Sequence, residues 1–131
     1  MTSGELSRGP YSTYVTTLVN AAIIAAEEKI GVDTVVLDLR ELVDSFDALI
    51  VTSGRNDRQV RALAEEIERL VDLALDVKPI HVEGLSAGEW VALDYGDVIV
   101  HVFDEAAREY YDLEHLWSAA PARRPLASRS S

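Results

Sequence analysis

Residues 89–103 read EWVALDYGDVIVHVF, two alternating apolar runs joined by Tyr95-Gly96. Strict alternation marks half-buried strands, and a two-residue connection containing glycine marks a tight hairpin. With Tyr95-Gly96 as the turn, Asp94 is expected opposite Asp97, Leu93 opposite Val98, Ala92 opposite Ile99, Val91 opposite Val100 and Trp90 opposite His101. Side chains alternate across a strand, so the pairing sorts two faces. Val91, Leu93, Val98, Val100 and Val102 form a core face. Trp90, Ala92, Asp94, Asp97, Ile99 and His101 form a mixed face. On that register two like charges oppose each other, which costs roughly 0.2–1 kcal/mol unless a cation or a partner offsets it.

Working back from the hairpin, Pro79–Glu83 reads as a short strand that starts on a proline, a position where the missing N–H does least harm. Residues 56–75 form a helix. Asn56 is placed to cap it with Gln59 three positions on, and Val60, Leu63, Ala64, Ile67, Leu70, Val71 and Ala74 make its apolar stripe. Arg61, Glu65, Glu66, Glu68, Arg69 and Asp72 fall on the solvated side. Asp47–Gly54 is apolar almost throughout and fits a central strand, while Thr34–Leu39 is a shorter β-branched one. Tyr14–Ile30 carries apolar residues at helical spacing, with Gly31 expected at the left-handed position that ends it. Downstream, residues 104–117 read as helix broken near Glu109–Asp112.

The order α-β-β-α-β-β-β-α, with a twenty-residue helix between strands two and three and short loops elsewhere, implies an α/β fold. Its sheet is mixed and five-stranded, with helices flanking it. Residues 1–12 are expected to be a flexible arm, 13–118 a single domain and 119–131, SAAPARRPLASRSS from position 118, a disordered tail too poor in apolar residues to order itself. No internal repeat is present.

Composition narrows the function. The chain has 131 residues, 48% of them apolar and 27% charged, which suits one globular domain. It has no cysteine, which excludes disulfides and thiolate metal sites. MTSGELSRGP is not a secretory leader, and no run is long and apolar enough to span a membrane, so a cytoplasmic location is expected. The net charge is −11. Because the only charges after Trp117 are Arg123, Arg124 and Arg129, residues 1–117 carry −14. Such a body repels phosphate backbones and attracts basic surfaces, so no dedicated nucleic-acid site is expected.

Catalytic chemistry is thin. Asp97 and His101 lie four residues apart on an extended strand, roughly 13 Å, too far to share one metal ion. Ser45 and Ser53 have no histidine and acid close in sequence. TSGRNDRQ lacks the glycines and lysine of a phosphate loop. A nucleotide-acting enzyme would need paired aspartates one residue apart, but Asp33, Asp38 and Asp47 are followed two positions on by Val35, Arg40 and Leu49. No cofactor, metal or catalytic residue is expected, and the chain is not expected to be an enzyme.

The run WVALDYGDVIVHVF, with Arg108, Tyr111, Leu113, Glu114, Leu116 and Trp117 after it, resembles the C-terminal signature of the ribosomal silencing factor (Iojap-like) family. Upstream, Asp47 and its apolar strand, Thr52-Ser53-Gly54 and Arg58-Gln59-Val60 resemble that family's central block, and Val82-Glu83-Gly84 resembles a short further element. The likeness covers about residues 14–118. Phe46 and Ala48 depart from it, standing where a small hydroxylated residue and an aromatic are common. The resemblance implies a nucleotidyltransferase-like α-β-α fold without enzymatic activity. It implies binding to the large ribosomal subunit, through a basic ribosomal protein on the intersubunit face. Small-subunit joining would be blocked and translation repressed under nutrient limitation. A homodimer is implied for the free protein, and large-subunit assembly is the alternative role. Partner-binding positions carried over are Trp90, Leu93, Asp94, Tyr95, Asp97 and Tyr111.

Overall fold

The segment Ala48–Gly54 has no polar side chain before Thr52, and a strand apolar on both faces must be covered on both sides. In the computed structural model, which describes residues 9–125, it is strand β2 and every one of its residues is buried. The remaining elements are α1 (Thr13–Glu28), β1 (Val32–Asp38), α2 (Asp57–Leu75), β3 (His81–Glu83), β4 (Trp90–Asp94), β5 (Val98–Asp104), α3 (Glu105–Tyr111), α4 (Leu113–Leu116) and β6 (Ala122–Arg123). They build one mixed sheet in the order β3-β4-β5-β2-β1-β6. Only β2 and β5 pair in parallel; the other neighbours are antiparallel. The expected crossover through α2 is present, but it carries the chain past two strand positions to the edge strand β3. Among the described residues no helix is long and apolar enough to cross a membrane.

α1 and α2 cover one face. Leu18, Ala22 and Ala26 of α1 and Val60, Leu63, Ile67 and Val71 of α2 close over Ile50, Val91, Leu93, Val100 and Val102. The other face carries a smaller core of Val35, Leu37, Leu49, Val51 and Phe103, against which Trp90, Leu113 and Trp117 pack. Asn56 caps α2 by accepting from the Gln59 N–H at 2.8 Å. The reciprocal bond lands one residue away from a capping box: Gln59 Oε1 accepts the Arg55 N–H at 2.6 Å, and its amide nitrogen donates to the carbonyls of Lys29 and Ile30. Gln59 therefore ties the start of α2 to the end of α1.

Three expectations are corrected. The left-handed residue ending α1 is Ile30 (φ 60°), not Gly31. Gly31 N–H reaches the Ala26 carbonyl and Ile30 N–H the Glu27 carbonyl, the paired bonds of a Schellman end. Gly31 is needed for closeness, because a Cβ there would sit 2.5 Å from Thr52 Oγ1. Second, among the described residues the sheet has six strands, not five. The tail expected from 119 contributes β6, which pairs Val36 with Arg123 and Leu37 with Ala122, and Ala120 is buried. Backbone pairing, which needs no apolar side chain, holds this segment. The rest of that tail, 126–131, and residues 1–8 of the expected arm lie outside the described residues. The end of the arm is held: Arg40 donates to the carbonyls of Gly9 and Pro10, pairs with Asp38 at 2.7 Å and lies over the Tyr11 ring at 4.1 Å.

The third correction is the hairpin register. Asp94 pairs with Ile99, Ala92 with His101 and Trp90 with Phe103. Tyr95 N–H donates to the Val98 carbonyl at 2.9 Å, so the two turn residues are Gly96 and Asp97. Gly96 has φ 89° and Asp97 no positive φ, the signature of a turn with glycine in its first central position. Asp94 Oδ1 braces it by accepting the Gly96 N–H at 2.8 Å. The slip is two residues, so both faces keep their composition. The expected clash between Asp94 and Asp97 does not arise.

Candidate functional site

The mixed face of the hairpin is an aromatic cluster. Trp90 stands across from Phe103 with ring centroids 5.0 Å apart, and its Nε1–H donates to His101 Nδ1 at 2.8 Å. A nitrogen that accepts this bond carries no proton, so His101 is neutral with its hydrogen on Nε2. Burial pushes the imidazole down to about 4, which preserves the bond at neutral pH. Tyr111, from α3, lies over Trp90 at 4.5 Å and meets Tyr110 edge-on at 4.9 Å. Tyr110 is 81% and Tyr111 50% exposed, and Leu116 on α4 is 68% exposed. Trp90 is half-buried beneath Tyr111.

This geometry sorts the six positions carried over from the resemblance. Trp90, Asp94, Asp97 and Tyr111 have surface-reaching side chains, Asp97 on the hairpin tip. Leu93 is wholly buried and Tyr95 is 5% exposed, both in the core beneath α1 and α2 on the opposite face. They shape the hairpin from behind and do not stand beside Trp90. Among the described residues the buried Tyr95 hydroxyl has no hydrogen-bond partner, and burial, with Glu68 and Asp72 nearby, raises its pKa well above the ordinary value. Tyr110 was missed by reading the sequence. Its only signal is a second tyrosine beside Tyr111 on a helix too short to bury both.

Much of the rest of the signature is scaffolding. Gly84 (φ 90°) lies where a Cβ would collide with the Trp90 carbonyl oxygen, and a Cβ on Gly54 would press on the Val60 nitrogen at 2.9 Å. Asp47 N–H donates to the Asp97 carbonyl at 2.7 Å and so fastens the hairpin tip to the start of β2. Ser53 Oγ accepts from Arg108, not from a histidine, at 2.9 Å.

At the carboxyl ends of β2 and β5, where open α/β sheets bind ligands, lies a cleft of about 350 Å³. Asp33, Glu105, Glu109, Asp112 and Glu114 line it, and its one arginine, Arg108, is committed to internal bonds. A nucleotide's phosphates would meet negative charge there. Among the described residues no three acid or histidine side chains are grouped to hold a metal ion.

The model of the family described as "Ribosomal silencing factor during starvation" matches residues 13–130. The chain belongs to the ribosomal silencing factor family. The chain is 43% identical over 97 residues to a ribosomal silencing factor of Chromobacterium violaceum, covering 73% of this chain and 78% of that one. It is 37% identical over 105 residues to one of Bacillus subtilis, covering 79% and 87%. An X-ray crystal structure of a Chromobacterium violaceum protein superimposes with a TM-score of 0.76 at 36% identity, spanning 88% of this chain and 96% of that one. Silencing factors are named for regulation, which agrees with an acid-lined cleft and an exposed aromatic face.

Proposed function

We propose that this silencing factor docks on the large ribosomal subunit through the face formed by Trp90, Tyr111, Asp94 and Asp97, and keeps the small subunit from joining. The observation that carries the reading is half-exposed Tyr111 over a half-buried tryptophan, with the exposed Tyr110 edge-on beside it. Rigid aromatics of this kind dominate protein interfaces when a partner covers them. The chain's net charge of −11 favours a basic partner, so the surface it meets is a basic ribosomal protein on the intersubunit face. It acts in the cytoplasm, and its free form is the homodimer that the resemblance implies.

Silencing by this route is steric. Inhibition follows occupancy by mass action and needs no turnover. Light scattering of purified subunits, mixed with increasing protein, tests it. Association should fall in proportion to occupied large subunits and recover on dilution. Sub-stoichiometric protein that progressively inactivates every subunit would overturn the reading and point to catalysis.

A further inference from the structure

Besides its Asp104 cap, the contact of Ala107 with the core and the rings under Tyr111, the helix that carries Tyr111 has few anchors of its own. α3 is seven residues long and none of its side chains is fully buried. A helix so short has no stability of its own in water. Arg108 fastens it. Its Nε and Nη2 donate to the two carboxylate oxygens of Glu114 at 3.0 and 3.1 Å. Nη1 donates to the Val32 carbonyl and to Ser53 Oγ, both at 2.9 Å, and Nη2 to the Asp33 carbonyl at 2.6 Å. Those five bonds use all five N–H groups of a guanidinium.

Two irregularities in the backbone make the clamp possible. Arg108 and Glu114 are six residues apart, beyond the three- and four-residue spacings at which helix side chains meet. They meet because Asp112, at φ 50° and ψ 54°, breaks the helix and redirects α4. The carbonyls of Val32 and Asp33 are free to accept because β1 bulges there: its register with β2 shifts between Val32 and Val35, and Asp33 has φ 50°. Burial opposes the charge on Glu114, but hydrogen bonds from Arg108, and then Arg124, more than offset it and keep the carboxylate ionised.

We propose that Arg108 is a positioning residue for docking: its clamp on Glu114, Ser53 and the β1 bulge sets where Tyr111 stands over Trp90. This rests on the docking face proposed above. Lysine cannot replace it, since one ammonium on a flexible stem lacks the planar fork that spans a carboxylate, two carbonyls and a hydroxyl.

The test uses the full chain with Arg108→Lys, Tyr111→Ala and the double variant, below every unfolding midpoint. Two readouts are taken: co-sedimentation with large subunits, and the near-UV circular dichroism of the free protein. Arg108→Lys should weaken subunit binding roughly tenfold, and the double variant should bind no worse than Tyr111→Ala alone. The near-UV spectrum of Arg108→Lys should move toward that of Tyr111→Ala. Losses that multiply in the double variant, or an unchanged spectrum, would overturn the inference. If Arg108→Lys does not fold, Glu114→Gln breaks the bidentate pair while keeping the side chain's shape, and the same comparisons apply. A changed spectrum with no binding even by the wild type would overturn the docking reading while the clamp itself stands.

Discussion

Trp90→Phe separates the two tasks of this tryptophan. The substitution keeps an aromatic ring against Phe103 and Tyr111 but deletes the Nε1–H that His101 Nδ1 accepts at 2.8 Å. A net hydrogen bond contributes about 1 kcal/mol. Shrinking indole to phenyl removes some tens of Å² of buried apolar surface, again about 1 kcal/mol at 25 cal/mol/Å². Trp90→Phe should therefore destabilise the fold by about 2 kcal/mol and lower Tm by roughly 8 °C for a domain of this length. Urea unfolding of Trp90→Phe, His101→Phe and the double variant isolates the bond, with a coupling of about 1 kcal/mol expected. Coupling below about 0.3 kcal/mol would refute a stabilising role for this bond. Subunit binding should fall much less for Trp90→Phe than for Trp90→Ala, because the covering ring survives; equal losses would make the indole N–H itself the recognition element.

Three further outcomes are expected. His101 has a folded-state pKa below its unfolded one, so its contribution to stability is present above pH 6.5 and lost as pH falls toward about 4. The loss should be roughly 2 kcal/mol, discounted for the ring's solvent-facing edge, and His101→Gln should flatten that part of the stability–pH curve. Gly84→Ala should cost about 3 kcal/mol or more by thermal unfolding, since φ is 90° and the methyl meets the Trp90 carbonyl; a loss under 1 kcal/mol would mean the turn relaxes freely. Asp94→Asn combined with Asp97→Asn should bring no stability gain, because Asp94 faces Ile99, yet should weaken subunit binding and flatten its salt dependence. Unchanged affinity at low salt would remove both acids from the interface.

The faces of the hairpin and the stripe of α2 were legible because each rests on a period, two or 3.6, that survives small errors of boundary. The register was not. Tyr95-Gly96 and Gly96-Asp97 both place glycine in a two-residue turn, and the choice lay with the Asp94 side chain bracing Gly96. β6 left no pattern to find, being two residues, Ala122 and Arg123, held by main-chain bonds. Of the carried-over positions, alternation alone separates Leu93, on the core face, from Trp90, on the mixed one. Tyr95, read as a turn residue, gave no sign that it packs beneath α1 and α2, and Tyr111 came only from the resemblance. The Arg108–Glu114 pair was hidden by its six-residue spacing, which makes sense only once Asp112 breaks the helix.

The parallel seam between β2 and β5 has a kinetic consequence. Ala48 pairs with Val98 and Gly54 with Asp104, partners fifty positions apart. On one side of the seam β1 and β2 can pair early, and on the other β4 and β5 close a two-residue turn, each at small entropic cost. The centre of the sheet joins only when these two preformed halves meet, a long-range step of the sort that slows folding. Arg108 crosses the same divide, reaching from the second half to Val32, Asp33 and Ser53 in the first. On the docking reading proposed above, the clamp that positions Tyr111 would therefore be completed only once the C-terminal third has closed onto the N-terminal half.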